Sequence, residues 1–246
     1  MLDVRVDSEV TAAHPDYVAV ILLADGLSNA GSDAASDELL AGAEAELRAR
    51  GLRRAVDHPH IASWREAFSG FGAKPSKYPC SAEALISRVL KGQPLPRVNV
   101  LVDLYNSVSV RHVIPVGGED ADRLQGGLRL TYATGEEVFD PRGDGSELEP
   151  VPTGEIVWRD ARGVTCRRWN WRQGRRTQLT ETTTRAFFVF DRLSGVSPDQ
   201  LQSAADDLSD LLLARWPDCQ LTQINPVMLD QSEGRVAHVP AQAPAS

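Results

Sequence analysis

Asp103 and Asn106 stand three residues apart in Val102-Asp103-Leu104-Tyr105-Asn106, a spacing that makes two side chains neighbours on a helix surface. A carboxylate can carry a proton and an amide can orient water or a carbonyl, so the pair suits chemistry that needs no nucleophilic side chain. Glu155 is a second carboxylate available for proton transfer, and capping or pairing with nearby arginine is the structural alternative for both acids. Arg168, Asn170 and Arg172, with the row Thr182, Thr183, Thr184, are candidates to hold a substrate, the guanidinium steadying a carbonyl oxygen or a phosphate. No serine sits in a nucleophile elbow, and no Cys/His pair is visible. His14, His58, His60, His112 and His238 show no ligand spacing, nor do Cys80, Cys166 and Cys219, so neither a metal nor a cofactor is expected. The pair around Pro59, His58 and His60, reads as a surface loop.

The chain has 246 residues, 42% hydrophobic and 24% charged, enough to bury a substantial core. Its net charge of -8 argues against a surface that is basic throughout. The distribution is uneven: eight arginines lie between Trp158 and Arg185 against only Asp160 and Glu181, a local excess of +6 on a body of about -14. Arg159, Arg162, Arg175 and Arg176 are candidate RNA contacts within it, because a planar guanidinium pairs bidentately with phosphate and stacks on bases. The alternation Arg167-Arg168-Trp169-Asn170-Trp171-Arg172 predicts a strand with tryptophans on one face and Arg168, Asn170 and Arg172 on the other. The longest apolar run, Val18 to Ala24, is too short to cross a bilayer, and Met1 to Val10 lacks an apolar centre, so no membrane partner is expected and the cytoplasm is the expected location.

Elements must position these groups. Tyr17 to Ala24 predicts a buried strand, and Ser36 to Gly51 a helix capped by Ser36 and Asp37. Helices follow at Ile61 to Phe68 and Ser81 to Leu90. The segment Val98 to Val108 fits helix by spacing and strand by its valines; read as helix, it turns Asp103, Asn106 and Ser107 away from the apolar stripe. Strands are predicted at Leu128 to Ala133, Glu137 to Phe139, Glu155 to Arg159, Val164 to Arg168, Arg185 to Asp191 and Gln220 to Ile224. Ser197-Pro198 opens an amphipathic helix with Leu201, Ala204, Ala205, Leu208, Leu211, Leu212 and Trp216 on one stripe. From about Ser232 the chain is small, polar and rich in Pro and Ala, a composition that predicts poor order.

Several motifs appear in a consistent order: W-R-E-A-F-x-x-F-G-x-K-P-S-K from Trp64, S-A-E-A-L from Ser81, V-D-x-x-N at Val102 to Asn106, I-P-V-G-G from Ile114, D-x-x-x-G at Asp122 to Gly126, and G-E-x-V-x-x-D at Gly154 to Asp160. Together they resemble the free-standing relatives of the B3/B4 domain, the module that in bacterial phenylalanyl-tRNA synthetase beta chains hydrolyses wrongly tyrosylated tRNA. The resemblance implies an α+β fold, a B3/B4-like mixed sheet flanked by helices. It implies a main domain over 61–225, with an N-terminal α/β part at 1–60 packed on it and a tail at 226–246. It also implies an editing pocket containing Asn106 and an aminoacylated tRNA as partner. Gly117 stands where the synthetase pattern has histidine, Arg168 and Trp169 stand near its paired glycines, and no residue matches the glutamate that contacts the tyrosyl hydroxyl. Three classes of function are compatible with these residues: a trans-acting aminoacyl-tRNA deacylase, a tRNA- or RNA-binding module without catalysis, and an enzyme or binder of a small molecule such as an amino acid.

Overall fold

The apolar run Val18 to Ala24 becomes an inner strand of a sheet covered on both faces. The computed structural model describes residues 2–229. Its first part holds β1 (Val4–Asp7), α1 (Ser8–Ala13), β2 (Val18–Asp25), α2 (Ala34–Ala49), α3 (Pro59–Gly70), α4 (Ser81–Leu90) and α5 (Val100–His112). There follow β3 (Val116–Asp120), β4 (Leu128–Tyr132), β5 (Val138–Phe139), β6 (Glu149–Pro150), β7 (Ile156–Arg159), β8 (Val164–Arg167) and β9 (Arg172–Gln173). The chain then forms β10 (Arg185–Arg192), α6 (Pro198–Arg215), β11 (Gln220–Ile224) and β12 (Val227–Leu229). The class is α+β, as the sequence predicts. Among the described residues no helix is long and apolar enough to cross a membrane.

β2 and β10 are the inner strands of a four-stranded antiparallel sheet in the order β11-β2-β10-β3. Successive strand residues point to opposite faces. Ala19, Ile21 and Leu23 of β2, with Phe187 and Val189 of β10, therefore enter one core, shared with Trp64 and Phe68 of α3 and Ile86 and Val89 of α4. Val20, Leu22 and Ala24, with Ala186, Phe188 and Phe190, enter a second core beneath α5 and α6. Burial on both sides is why the strand reads as a continuous apolar run rather than an alternating one. The second sheet has eight strands, β12-β1-β4-β7-β8-β5-β6 with β9 paired to β8, and it contributes Leu128, Leu130, Ile156 and Trp158 to the first core.

The N-terminal strands are internal to both sheets: β1 lies between β12 and β4, and β2 between β11 and β10. Residues 1–60 thus share their sheets with strands from 61–225. Part of the expected tail, Val227–Leu229, is the strand that pairs with β1. The stretch predicted to be poorly ordered, from Ser232, lies outside the described residues.

Local capping departs from expectation in small ways. α2 is capped by Asp33, whose side chain accepts from Ser36 N while Ser36 Oγ accepts from Asp33 N, so Ser36 is the third helical residue rather than the cap. The His58 to His60 segment is no surface loop: His58 caps α3 and His60 is fully buried. His60 Nδ1 lies 2.8 Å from the Val113 carbonyl, which can only accept, so Nδ1 carries the proton and Nε2 accepts from Trp64 Nε1 at 3.0 Å and Leu193 N at 3.2 Å. Burial lowers its pKa to about 4, keeping the ring neutral in this role.

Gly195, after β10, makes the close approach to this helix start. Its φ is +90°, and a Cβ there would sit 2.6 Å from His60 N and 2.7 Å from Pro59 C. Gly195→Ala should therefore lose about 2–4 kcal/mol through left-handed strain and backbone collision together. A urea titration should show a lower midpoint at unchanged slope, and a midpoint equal to wild type would refute the packing described.

Candidate functional site

Antiparallel register determines which side chains of β3 and β10 share a face. Gly117 is opposite Val189 and Glu119 opposite Phe187, so Gly117, Glu119, Val189 and Asp191 all lie on the side of the first core. Gly117, Glu119, Val189 and Asp191 line a cavity of about 690 Å³ whose lining also includes Ser81 and Glu83 of α4. Asn106 of α5 lines it as well.

Two carboxyls stand out in this cavity. Glu119 is 3% exposed; its Oε2 makes no hydrogen bond of good geometry among the described residues, although the Thr177 and Thr165 hydroxyls beside the carboxyl favour its charged form. Burial pushes its pKa up to about 7. Asp191 is better satisfied: Tyr17 Oη donates to Oδ1 at 2.7 Å and Asn170 Nδ2 donates to Oδ2 at 3.2 Å, yet burial raises it to about 6. Burial also raises the Tyr105 phenol and the Cys166 thiol, which line the same space as neutral groups. Gly117 matters sterically, since a Cβ there would come within 2.9 Å of Gln173 Nε2, which donates to Gly118 O at 3.2 Å. The amide of Gln173 thereby occupies space that a side chain at 117 would need.

The approach of Asn170 depends on a turn that the alternation of Arg and Trp did not foretell. β8 ends at Arg167, and the next two residues, Arg168 and Trp169, have φ of 46° and 62°. The period-two reading fails here because the chain leaves the strand. Glu155 fixes the turn by accepting from Arg167 Nε and Nη2, both at 2.8 Å, and from Arg168 N at 3.2 Å. Trp169 N donates to Ile156 O at 2.6 Å. The buried Trp169 ring meets Trp64 and Tyr17 edge-on, with centroids 5.1 and 4.8 Å away.

Among the residues singled out from sequence, Asn106, Asn170 and Arg172 come together at the cavity. Asp103 does not point away from the apolar stripe: it is fully buried, accepting from Ser36 Oγ at 2.9 Å and Val98 N at 3.2 Å, and so ties α2 to the start of α5. Glu155 is committed to the turn. Arg168 stacks over Tyr78 at 3.8 Å and Trp171 at 4.5 Å, outside the cavity lining. Thr183 donates to Asp120 at 2.8 Å, while Thr182 and Thr184 are exposed, all three away from that lining. Most of the basic segment is internally neutralised: Arg159 pairs with Glu137, Arg167 with Glu149 and Glu155, and Arg176 with Asp160. Arg162 and Arg175 are exposed and make no ion pair among the described residues. Glu119, Asp191 and Glu83 were not singled out, although an acid at the end of Phe187-Phe188-Val189-Phe190-Asp191, on the Val189 face, was a readable signal.

The sequence matches the B3/4 domain family over residues 63–214. Among curated proteins none matches the chain. Among solved structures, an N-terminal fragment of the phenylalanyl-tRNA synthetase beta subunit from Pyrococcus horikoshii is similar at 12% identity with a TM-score of 0.48. The match covers 91% of this chain and 54% of that one, so this chain spans about half the length of the fragment.

The raised carboxyls have a measurable consequence for stability. Each binds its proton more tightly folded than unfolded, so the stability it contributes is complete below its ordinary value, 4.5 for Glu119 and 3.8 for Asp191. That stability is lost as pH rises through about 7 and about 6 respectively. Glu119→Gln and Asp191→Asn should therefore gain on wild type as pH climbs from 4 to 7.5 in urea unfolding. A difference between variant and wild type that stays constant across that range would contradict the raised values.

Proposed function

The chain belongs to the B3/4 domain family, and from that premise we propose that it hydrolyses the ester of a mischarged aminoacyl-tRNA in trans. The observation that carries the reading is the buried Glu119 carboxyl, with one oxygen unpartnered, lining the same cavity as the Asn106 amide. A carboxyl raised to about 7 populates both protonation states at neutral pH, which suits a general base. Glu119 takes a proton from water as the water oxygen bonds to the ester carbon. The bond from that carbon to the ribose oxygen then breaks, and the proton passes to the departing ribose hydroxyl. Asn106 orients the water or the carbonyl oxygen, so its effect is concentrated in the transition state. Arg88 and Lys91 are exposed cations lining the cavity and are available to the phosphates of the terminal nucleotides, with Arg162 and Arg175 as further RNA contacts, while Arg172, also exposed there, pairs with Glu149 at 3.5 Å. In this reading Asp103 and Glu155 hold the scaffold rather than move protons.

A tRNA-binding module without catalysis is the second reading. It is favoured by Gly117 at the position where the synthetase pattern has histidine, and by Gln173 filling the space beside it.

Incubation with a panel of aminoacyl-tRNAs tests the two. Release of the amino acid should rise with pH and level off above about 7. Asn106→Ala should lower the rate more than tRNA affinity, and Glu119→Gln should lower it by about 10²–10⁴-fold and remove the pH dependence. Full activity in Glu119→Gln would reject that residue as base, and no release from any aminoacyl-tRNA would leave the binding reading standing.

A further inference from the structure

The cavity has two chemically distinct ends. Glu119 occupies one. Asp191 lies four residues along β10 from Phe187, the partner of Glu119, which separates the two acids by about 13 Å of strand at 3.3 Å per residue. Around Asp191 gather groups with acceptor capacity and nothing to accept. Asn170 Nδ2 donates to Asp191, leaving Asn170 Oδ1 buried without a partner. The Asn170 carbonyl accepts from Ser81 N at 3.1 Å, which brings the first turn of α4 alongside, and Ser81 Oγ is likewise buried and unpartnered. Glu83, in the same helical turn, is 6% exposed; Oε1 accepts from Arg65 at 2.6 Å, and Oε2 has no partner. Asp191, Asn170, Ser81 and Glu83 all line the cavity.

Leaving a buried acceptor unpaired costs about 1–3 kcal/mol, more for a charged one, so a set of them facing one space is a receptor for a donor-rich group. A primary ammonium carries three donors and a positive charge, matching two hydrogen-bond acceptors and two carboxyls. We propose that this end of the cavity is a subsite for a side-chain ammonium, so that the amino acid the protein acts on is a basic one of lysine or ornithine type. The inference rests on the hydrolytic reading above, because it places the ester at Glu119. From there an α-ammonium, two bonds from the ester carbon, falls short of the Asp191 end, whereas an ammonium on a stem of three or four carbons reaches it. Trp171, also lining the cavity and already carrying Arg168 over its ring, offers an indole edge along which an aliphatic stem can pack.

The test uses the full chain and three free probes: L-lysinamide, L-norleucinamide, which keeps the aliphatic stem and lacks the terminal amine, and L-tyrosinamide. Calorimetry should show lysinamide binding at least about tenfold more tightly than either neutral side chain. Glu83→Gln and Asp191→Asn, each folded by circular dichroism, should reduce that preference to below about threefold. Equal affinity for lysinamide and norleucinamide, or a preference that survives both substitutions, would overturn the subsite. Lysinamide preference without release from any aminoacyl-tRNA would support the subsite and reject the hydrolytic reading. Release of apolar or tyrosyl groups with no lysinamide preference would do the reverse.

Discussion

The carboxylate of Glu155 holds together the part of the molecule on which the cavity depends. It grips Arg167 bidentately and accepts from the backbone of Arg168, and it does so where two successive residues that are not glycine adopt left-handed backbone. Such conformations cost about 1–3 kcal/mol each and persist only when the surroundings over-determine them. Here they are over-determined by the buried ion pair, by the short bond from Trp169 N to Ile156 O, and by the aromatic contacts of the Trp169 ring. The turn delivers Asn170 to Asp191 and places Arg168 against Tyr78 and Trp171. In the synthetase pattern that this segment resembles, paired glycines stand near these positions. The backbone here adopts, at Arg168 and Trp169, a shape that glycine adopts freely.

Bulk from a neighbouring strand fills space at Gly117, which lies opposite Val189, midway between Glu119 and Asp191. Gly117 contributes no side chain, and Gln173 crosses from β9 to fill the vacancy while bonding Gly118 O. The result is a cavity whose polar groups are a carboxyl on β3, acceptors on α4 and after β8, and the Asn106 amide on α5.

How much of this was legible in the sequence depended on whether the deciding contact was local. The α6 stripe needs only its own periodicity, and Leu201, Ala204, Ala205, Leu208 and Leu212 are buried as read. The segment Val98 to Val108 fits both helix by spacing and strand by its valines, and periodicity alone does not decide; the structure forms the helix Val100–His112. β1, β3 and β12 are short, and none has an alternating pattern long enough to announce a strand; their pairing comes from distant neighbours. Taken alone, residues 158–185 read as an open basic surface. Glu137, Glu149 and Glu155 precede that segment in the chain, and the sheet folds them back onto Arg159 and Arg167. Asp103 looked polar and available, but the group that claims it, Ser36, is on another helix.

The pairing of β1 and β2 also sets an order of events during synthesis. Arg5 pairs with Arg129 and Val227, and the strand at 18–25 pairs with residues 185–192 and 220–224, so neither strand finds a partner nearby in the chain. Contacts between such remote segments close large loops and form slowly. On the ribosome the most apolar strand of the protein therefore emerges early and waits with both edges open until Arg185 and its neighbours have been made. Throughout that interval the nascent chain presents an unpaired hydrophobic strand of the kind that chaperones bind and that recruits other chains into aggregates.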